Sequence, residues 1–171
     1  NFRGYLGPTP IDFEDDLTAI IGKNDVGKST ILEALEIFFN SKTVKMDAQD
    51  KSVKATDAEV RISCVFDDLP AELIIDASHT TTLQDEYLLN ADGFLEIVKV
   101  YKIQKTVVGP ETYIHCMHPT AEKIERLHQR KLSELKSLGK ELGVEEAVAD
   151  KRIAALLRKA LWESAGDLGL S

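Results

Sequence analysis

Long apolar runs are missing from this sequence: no stretch approaches the ~20 residues of a membrane-spanning helix, so no span is expected. A secretory leader pattern is missing too. The chain opens on Asn1 rather than Met, and a strand beginning before Asn1 is expected. Cysteine is scarce, at Cys64 and Cys116 only, which excludes a disulfide framework and makes a reducing cytoplasm the expected compartment. Positive charge is in deficit. Lys and Arg total 21 against 29 Asp and Glu, a net charge of −8. Residues 1–119 hold 11 basic against 20 acidic side chains, and 120–171 hold 10 against 9. A general nucleic-acid surface is not supported by that balance, so any DNA contact needs a local patch or another part of the protein.

Several chemistries also lack their residues. His115-Cys116-Met117-His118 puts His115 and Cys116 on opposite sides of a strand, and no second pair has zinc-site spacing. His79 before Thr80-Thr81-Thr82 reads as a solvated turn. Cys64 sits on an apolar strand face and reads as core rather than nucleophile. An Asn/Thr-Lys-x-Asp guanine motif does not follow the glycine-rich loop described next, and arginine recurs after Arg3 only at 61, 126, 130, 152 and 158. Those absences weigh against a GTPase and against an arginine-lidded kinase. What remains is an ordinary globular composition, 43% hydrophobic and 29% charged over 171 residues, enough for one cored domain plus an appendage.

Within it, Gly22-Lys23-Asn24-Asp25-Val26-Gly27-Lys28-Ser29 satisfies G-x-x-x-x-G-K-[ST], the phosphate-binding loop. Successive backbone N–H groups of such a loop converge on one concavity that holds phosphate. Gly22 and Gly27 suit its tight turns, Lys28 carries charge to the β/γ-phosphates, and the Ser29 hydroxyl ligates Mg²⁺. Asn24, Asp25 and Thr30 shape the cradle. Leu17–Ile21 reads as a buried strand feeding the loop. Ile31, Ala34, Leu35, Phe38 and Phe39 form one helical apolar stripe starting where the loop ends, so the helix N-terminus faces the phosphate. The expected ligand is a nucleoside triphosphate.

Elsewhere, Gly7-Pro8-Thr9-Pro10 forces a turn and Ile11-Asp12-Phe13 starts a short strand. The loop helix is expected to end near Asn40, and residues 41–57 read as an exposed, mobile connection. Val60, Ile62, Cys64 and Phe66 alternate with Glu59, Arg61 and Ser63, a half-buried strand. Leu73-Ile74-Ile75 is a brief strand. Tyr87–Leu89 and Phe94–Ile103 flank the turn residues Asn90-Ala91-Asp92-Gly93, a hairpin signal. Gly109-Pro110 marks a further turn before a strand over 112–117. From Pro119, leucines at helical spacing interrupted by Gly139 and Gly143, then Val148 to Leu161, predict a helical hairpin or the base of a longer arm. The heptad breaks early, so a coiled-coil seam is not expected. The expected class is α/β, with antiparallel strands after the loop helix. The expected boundary divides 1–118 from 119–171.

Asn1-Phe2-Arg3-Gly4 ahead of Ile20–Leu35, with its Gly-Lys-Ser-Thr-Ile-Leu-Glu-Ala-Leu helix, resembles the N-terminal lobe of ABC-type ATPase heads of the SMC, RecF and OLD class. Asp25, where SMC heads usually carry glycine, and Phe38-Phe39-Asn40 make it most similar to OLD-like ATP-dependent endonucleases. The specific motifs cover about the first forty residues. The resemblance implies ATP and Mg²⁺ held by residues 22–30, with Val26 among them, and Arg3 near the nucleotide. It also implies a second head as partner, and a downstream lobe carrying the signature and Walker B motifs. DNA would be the target of the whole protein, whether in nuclease, repair or antiphage action. Leu73-Ile74-Ile75-Asp76 mimics a Walker B strand, but Ala77 stands where glutamate belongs; Asp85-Glu86 lacks the preceding strand. The alternative is a self-contained P-loop kinase or NTPase.

Overall fold

A computed structural model describes residues 1–23, 27–76 and 79–171. The chain forms two compact units, one of Asn1–Cys64 with Ile97–Tyr113 and one of Val65–Glu96 with Ile114–Ser171. Five strands are present: β1 (Glu59–Phe66), β2 (Leu73–Asp76), β3 (His79–Thr81), β4 (Leu95–Ile103) and β5 (Val107–His115). The α-helices are α1 (Lys28–Phe38), α2 (Leu132–Glu141) and α3 (Ala154–Glu163).

In the first unit α1 follows the glycine-rich loop, as its sequence stripe predicts. Ile37 and Phe38 are buried, whereas Phe39 is 62% exposed. The stripe therefore stops one residue early, because Phe39 is the residue at which helical geometry ends. Asn40 turns left-handed at φ 60°, and Ser41 N donates to Glu36 O at 2.8 Å to close the helix. The sheet order is β1-β4-β5. Ile103 N, at the end of β4, donates to Ala58 O beside the start of β1, and only residues 104–106 join β4 to β5. Both neighbours are therefore antiparallel. Val60 and Ile62 are buried and Arg61 and Ser63 exposed, the alternation expected for β1.

Four expectations for this unit fail. Leu17–Ile21 is not a strand; Leu17 is 79% and Ile21 91% exposed. An extended run becomes a strand only by joining a ladder, and among the described residues none receives it. Ile11–Phe13 likewise forms no strand. Residues 41–57 are not a loose connection. Asp47–Asp50 makes a capped 3₁₀ turn, Phe2 bridges Lys51, and Asp50, Ser52 and Ala55 are buried. The polar composition concealed carboxylates that bond the backbone.

Gly109-Pro110 is also not a turn; it lies inside β5, and residues 104–106 make the reversal. Gly109 sits at φ 119°, where a Cβ would lie 2.9 Å from Val100 O, so close backbone approach explains the glycine. The outer position of β5 accommodates a proline lacking N–H.

In the second unit β2 and β3 pair antiparallel, so His79 opens a strand rather than a solvated turn. Asn90 does make a turn: its Oδ1 accepts from Asp92 N and Phe94 N. The turn feeds β4 alone, because Tyr87–Leu89 is not a strand. α2 and α3 pack on each other, and Leu127, Leu135, Leu157 and Leu161 are fully buried in one cluster with Ile124, Leu138, Val148 and Trp162. Each such leucine contributes about 1.5–3 kcal/mol of burial. Gly139 lies within α2, and Gly143, at φ 70°, follows its end. No helix among the described residues is long and apolar enough to cross a membrane.

Candidate functional site

The site begins at Gly27, which precedes α1 in a left-handed conformation (φ 92°, ψ 11°). No side chain caps the helix. Its first N–H groups, at Lys28, Ser29 and Thr30, are the ones a helix leaves without an intrahelical acceptor. Tyr5 closes over the turn. Its hydroxyl donates to Gly27 O at 3.3 Å, and a Cβ on Gly27 would meet that hydroxyl at 2.9 Å.

Lys28 leaves the first turn of α1 and folds back across the loop, donating from Nζ to Gly22 O at 2.7 Å and to Lys23 O. Its ammonium thus lies among the loop's own main-chain groups. Ser29 is exposed and Thr30 half-buried on the same turn. The calls on Asn24, Asp25 and Val26 lie outside the described residues, as does Ala77.

Arg3 (φ 49°) is engaged by carboxylates. Its Nε donates to Asp50 Oδ1 at 2.8 Å, Nη1 pairs with Glu33 of α1, and its backbone N donates to Asp50 O at 2.6 Å. The hydrogen bond to Asp50 holds the guanidinium pKa above its usual value; burial opposes it, and the Glu33 bond adds to it. Asp50 Oδ2 also accepts from Asp47 N at 2.7 Å. Arg3 therefore ties the start of the chain to the middle of the loop helix. At the far end of α1, Lys99 Nζ donates to Phe38 O at 2.6 Å and to Asn40 Oδ1 at 2.8 Å.

The loop residues present fit a nucleotide's phosphates and its Mg²⁺. Lys28, Ser29 and Thr30 occupy the first turn after a left-handed Gly27 and leave its helix N–H groups without intrahelical acceptors, the residue types that polyphosphate requires. Lys28 would hold phosphate charge, the N–H groups of residues 27–30 would orient the oxygens, and Ser29 would offer its hydroxyl to the metal. Bound Mg²⁺ supplies charge neutralisation at the phosphates.

Tyr5, Glu33, Asp50 and Lys99 went unnoticed in the sequence. Two of them left signals there. Asp47 and Asp50 have capping-box spacing, and Lys99 occupies the apolar phase of β4 beside Ile97 and Tyr101.

The other candidates are structural. His115 Nδ1 lies 2.8 Å from Glu96 Oε2 across β5 and β4, while His118 Nδ1 donates to Tyr87 O. Among the described residues no three His, Cys, Asp or Glu side chains cluster so as to hold a metal ion. Burial pushes both cysteine thiols up, Lys99 partly opposing this at Cys64, so neither is an activated nucleophile. Glu86, 2% exposed, pairs bidentately with Arg158 of α3 at 2.8 and 3.0 Å, and its carbonyl accepts from His128 Nε2. Burial, then Arg158 and His118, lowers the His128 pKa against the opposing influence of Glu86. A cavity of about 80 Å³ beside this pair is lined by His79, Thr80, Thr81, Asp85, Glu86 and Lys159.

A mixed α/β fold with antiparallel sheets and a helix starting at this glycine-rich loop fits a P-loop NTPase. The profile of the AAA ATPase domain family matches residues 1–165, and the chain belongs to that family. It is similar to the chromosome partition protein Smc of Rhodopirellula baltica, 27% identical over 129 residues. That alignment covers 66% of this chain and 11% of the Smc protein, so the chain corresponds to a small part of that relative's length. No solved structure matches the chain significantly. The family and the Smc similarity together support an ATPase of the ABC/SMC type.

Proposed function

We propose that residues 22–30, with Lys28 and Ser29 at their centre, bind Mg-ATP as one half of an ABC-type ATPase head. The observation that carries this reading is the Lys28 ammonium, folded over the Gly22 and Lys23 carbonyls at the first turn of α1. ATP would bring a second head against the loop, and the paired state would control action on DNA in the cytoplasm. An OLD-like nuclease, a repair factor and an antiphage effector all fit that scheme, the loop sequence Lys23–Ser29 favouring the first. Residues 1–118 would act as the nucleotide lobe and 119–171 as the helical part. Arg3 would serve the site through its grip on Glu33 of α1. The exposed Leu17 and Ile21 support a further lobe carrying the signature and Walker B motifs, because an apolar run feeding a phosphate loop gains by joining a ladder.

Phosphoryl transfer requires the metal, the lysine and a positioned carboxylate together. This chain alone should therefore bind ATP without turning it over. The test is calorimetric titration with Mg-ATP and a steady-state phosphate-release assay on the 171-residue chain and on Lys28→Ala. Expected are binding that Lys28→Ala abolishes, an unchanged circular dichroism spectrum, and no Lys28-dependent turnover. Equal affinity in the two proteins would sink the site. Clear Lys28-dependent turnover would instead point to a self-contained P-loop enzyme.

A further inference from the structure

Lys99 is a buried cation with neutral partners. It projects from β4 with 7% of its surface exposed, and its hydrogen bonds go to Phe38 O and to Asn40 Oδ1. Its ammonium also stands 5.2 Å from the centroid of the Phe38 ring. Among the described residues no carboxylate forms an ion pair with it. Burying an unpaired charge is costly, so the compensation must come from what surrounds it. Here that is the carboxyl end of α1, where the last carbonyls and the helix dipole present negative charge.

The opposite end of the same helix carries Lys28 and Ser29. α1 has eleven residues, about 16 Å of rigid rod at 1.5 Å per residue. From this geometry we infer that Lys99 is a positioning residue for the nucleotide site, acting through α1. The inference rests on the ATP-binding reading above. Arg3 grips α1 laterally at Glu33, and Lys99 fixes it axially from the sheet. With both contacts made, sliding or tilting the helix breaks a charge-assisted bond, the one from Lys99 being buried. The first turn, which carries Lys28, Ser29 and the free N–H groups, is then held in one position. Loss of the axial contact would leave the loop residues intact but imprecisely aimed, and a displacement well under 1 Å weakens a convergent hydrogen-bond site.

Lys99→Met keeps the length and apolar packing of the stem while removing the charge and the donors. Lys99→Arg keeps both. Asn40→Gly removes one acceptor, tolerates the left-handed turn at φ 60° and leaves Lys99 in place. Mg-ATP affinity of the full 171-residue chain is measured for each by calorimetry, beside wild type and Lys28→Ala. Amide exchange over residues 31–38 is followed in parallel. We expect Lys99→Met to bind about three- to tenfold more weakly with faster exchange in α1, and Lys99→Arg to restore both. Wild-type affinity in a folded Lys99→Met would overturn the inference. If Lys99→Met does not fold, Asn40→Gly decides in its place: weaker binding supports the axial role and unchanged binding overturns it. Failure of wild type to bind Mg-ATP would instead remove the ATP-binding reading itself, and with it the positioning role.

Discussion

Substituting Gly27 by alanine would force a side chain into φ 92° and set its Cβ 2.9 Å from the Tyr5 hydroxyl. Backbone strain of this kind costs on the order of 1–3 kcal/mol, concentrated at the turn that ends on Lys28. The expected result is Mg-ATP binding weakened at least about tenfold, with a far-UV spectrum like wild type; calorimetry checks it. Tyr5→Phe removes only the bond to Gly27 O and should weaken binding less. A second residue-level prediction concerns His128. Its folded pKa lies below the ordinary 6.5, chiefly through burial and then Arg158 and His118. The unfolded chain therefore takes up the proton first. Stability is fully present above about pH 6.5 and is lost as pH falls through the window below it. Urea midpoints followed by circular dichroism should drop on acidification in wild type and drop less in His128→Asn. An equal drop would assign the effect to other groups.

Among the elements, α3 carries the clearest energetic consequence. Arg158→Met would leave the Glu86 carboxylate buried without its guanidinium, a loss of about 3–5 kcal/mol. Replacing Glu86 with leucine at the same time should recover much of that loss, which equilibrium unfolding can measure. Legibility from sequence also differs by element. α1 and β1 were readable because their periodicity is local and one face of each is buried. The end of α1 near Asn40 was readable from its turn chemistry. The strand over 73–75 was readable as well, extending to Asp76. By contrast, Leu17–Ile21 has strand composition but exposed side chains, because a strand is defined by its neighbour rather than by its own residues. Residues 41–57 failed in the opposite sense. Asp50 is buried because Arg3, 47 positions away, pairs with it, and no local pattern announces such a contact. The loop was legible as a motif, but Tyr5 above Gly27 and Lys99 beneath Phe38 were visible only after folding.

For the molecule as a whole, net charge argues against unaided nucleic-acid binding. At −8 overall, the chain by itself should leave the fluorescence anisotropy of a labelled DNA duplex unchanged at about 0.15 M salt. Tight, salt-sensitive binding would reveal a local basic patch. The division into two units also affects which spectroscopic signal can be used. The chain contains one tryptophan, Trp162, 2% exposed in the core of the second unit. Red-edge excitation therefore illuminates that unit alone. The phosphate-loop unit, with Tyr5, Tyr101 and Tyr113 as its phenols, stays dark. A label-free optical titration with nucleotide would miss events confined to the loop. A fluorescent nucleotide analogue or an extrinsic dye near α1 is needed to see them, while the native indole remains an internal monitor of the other half.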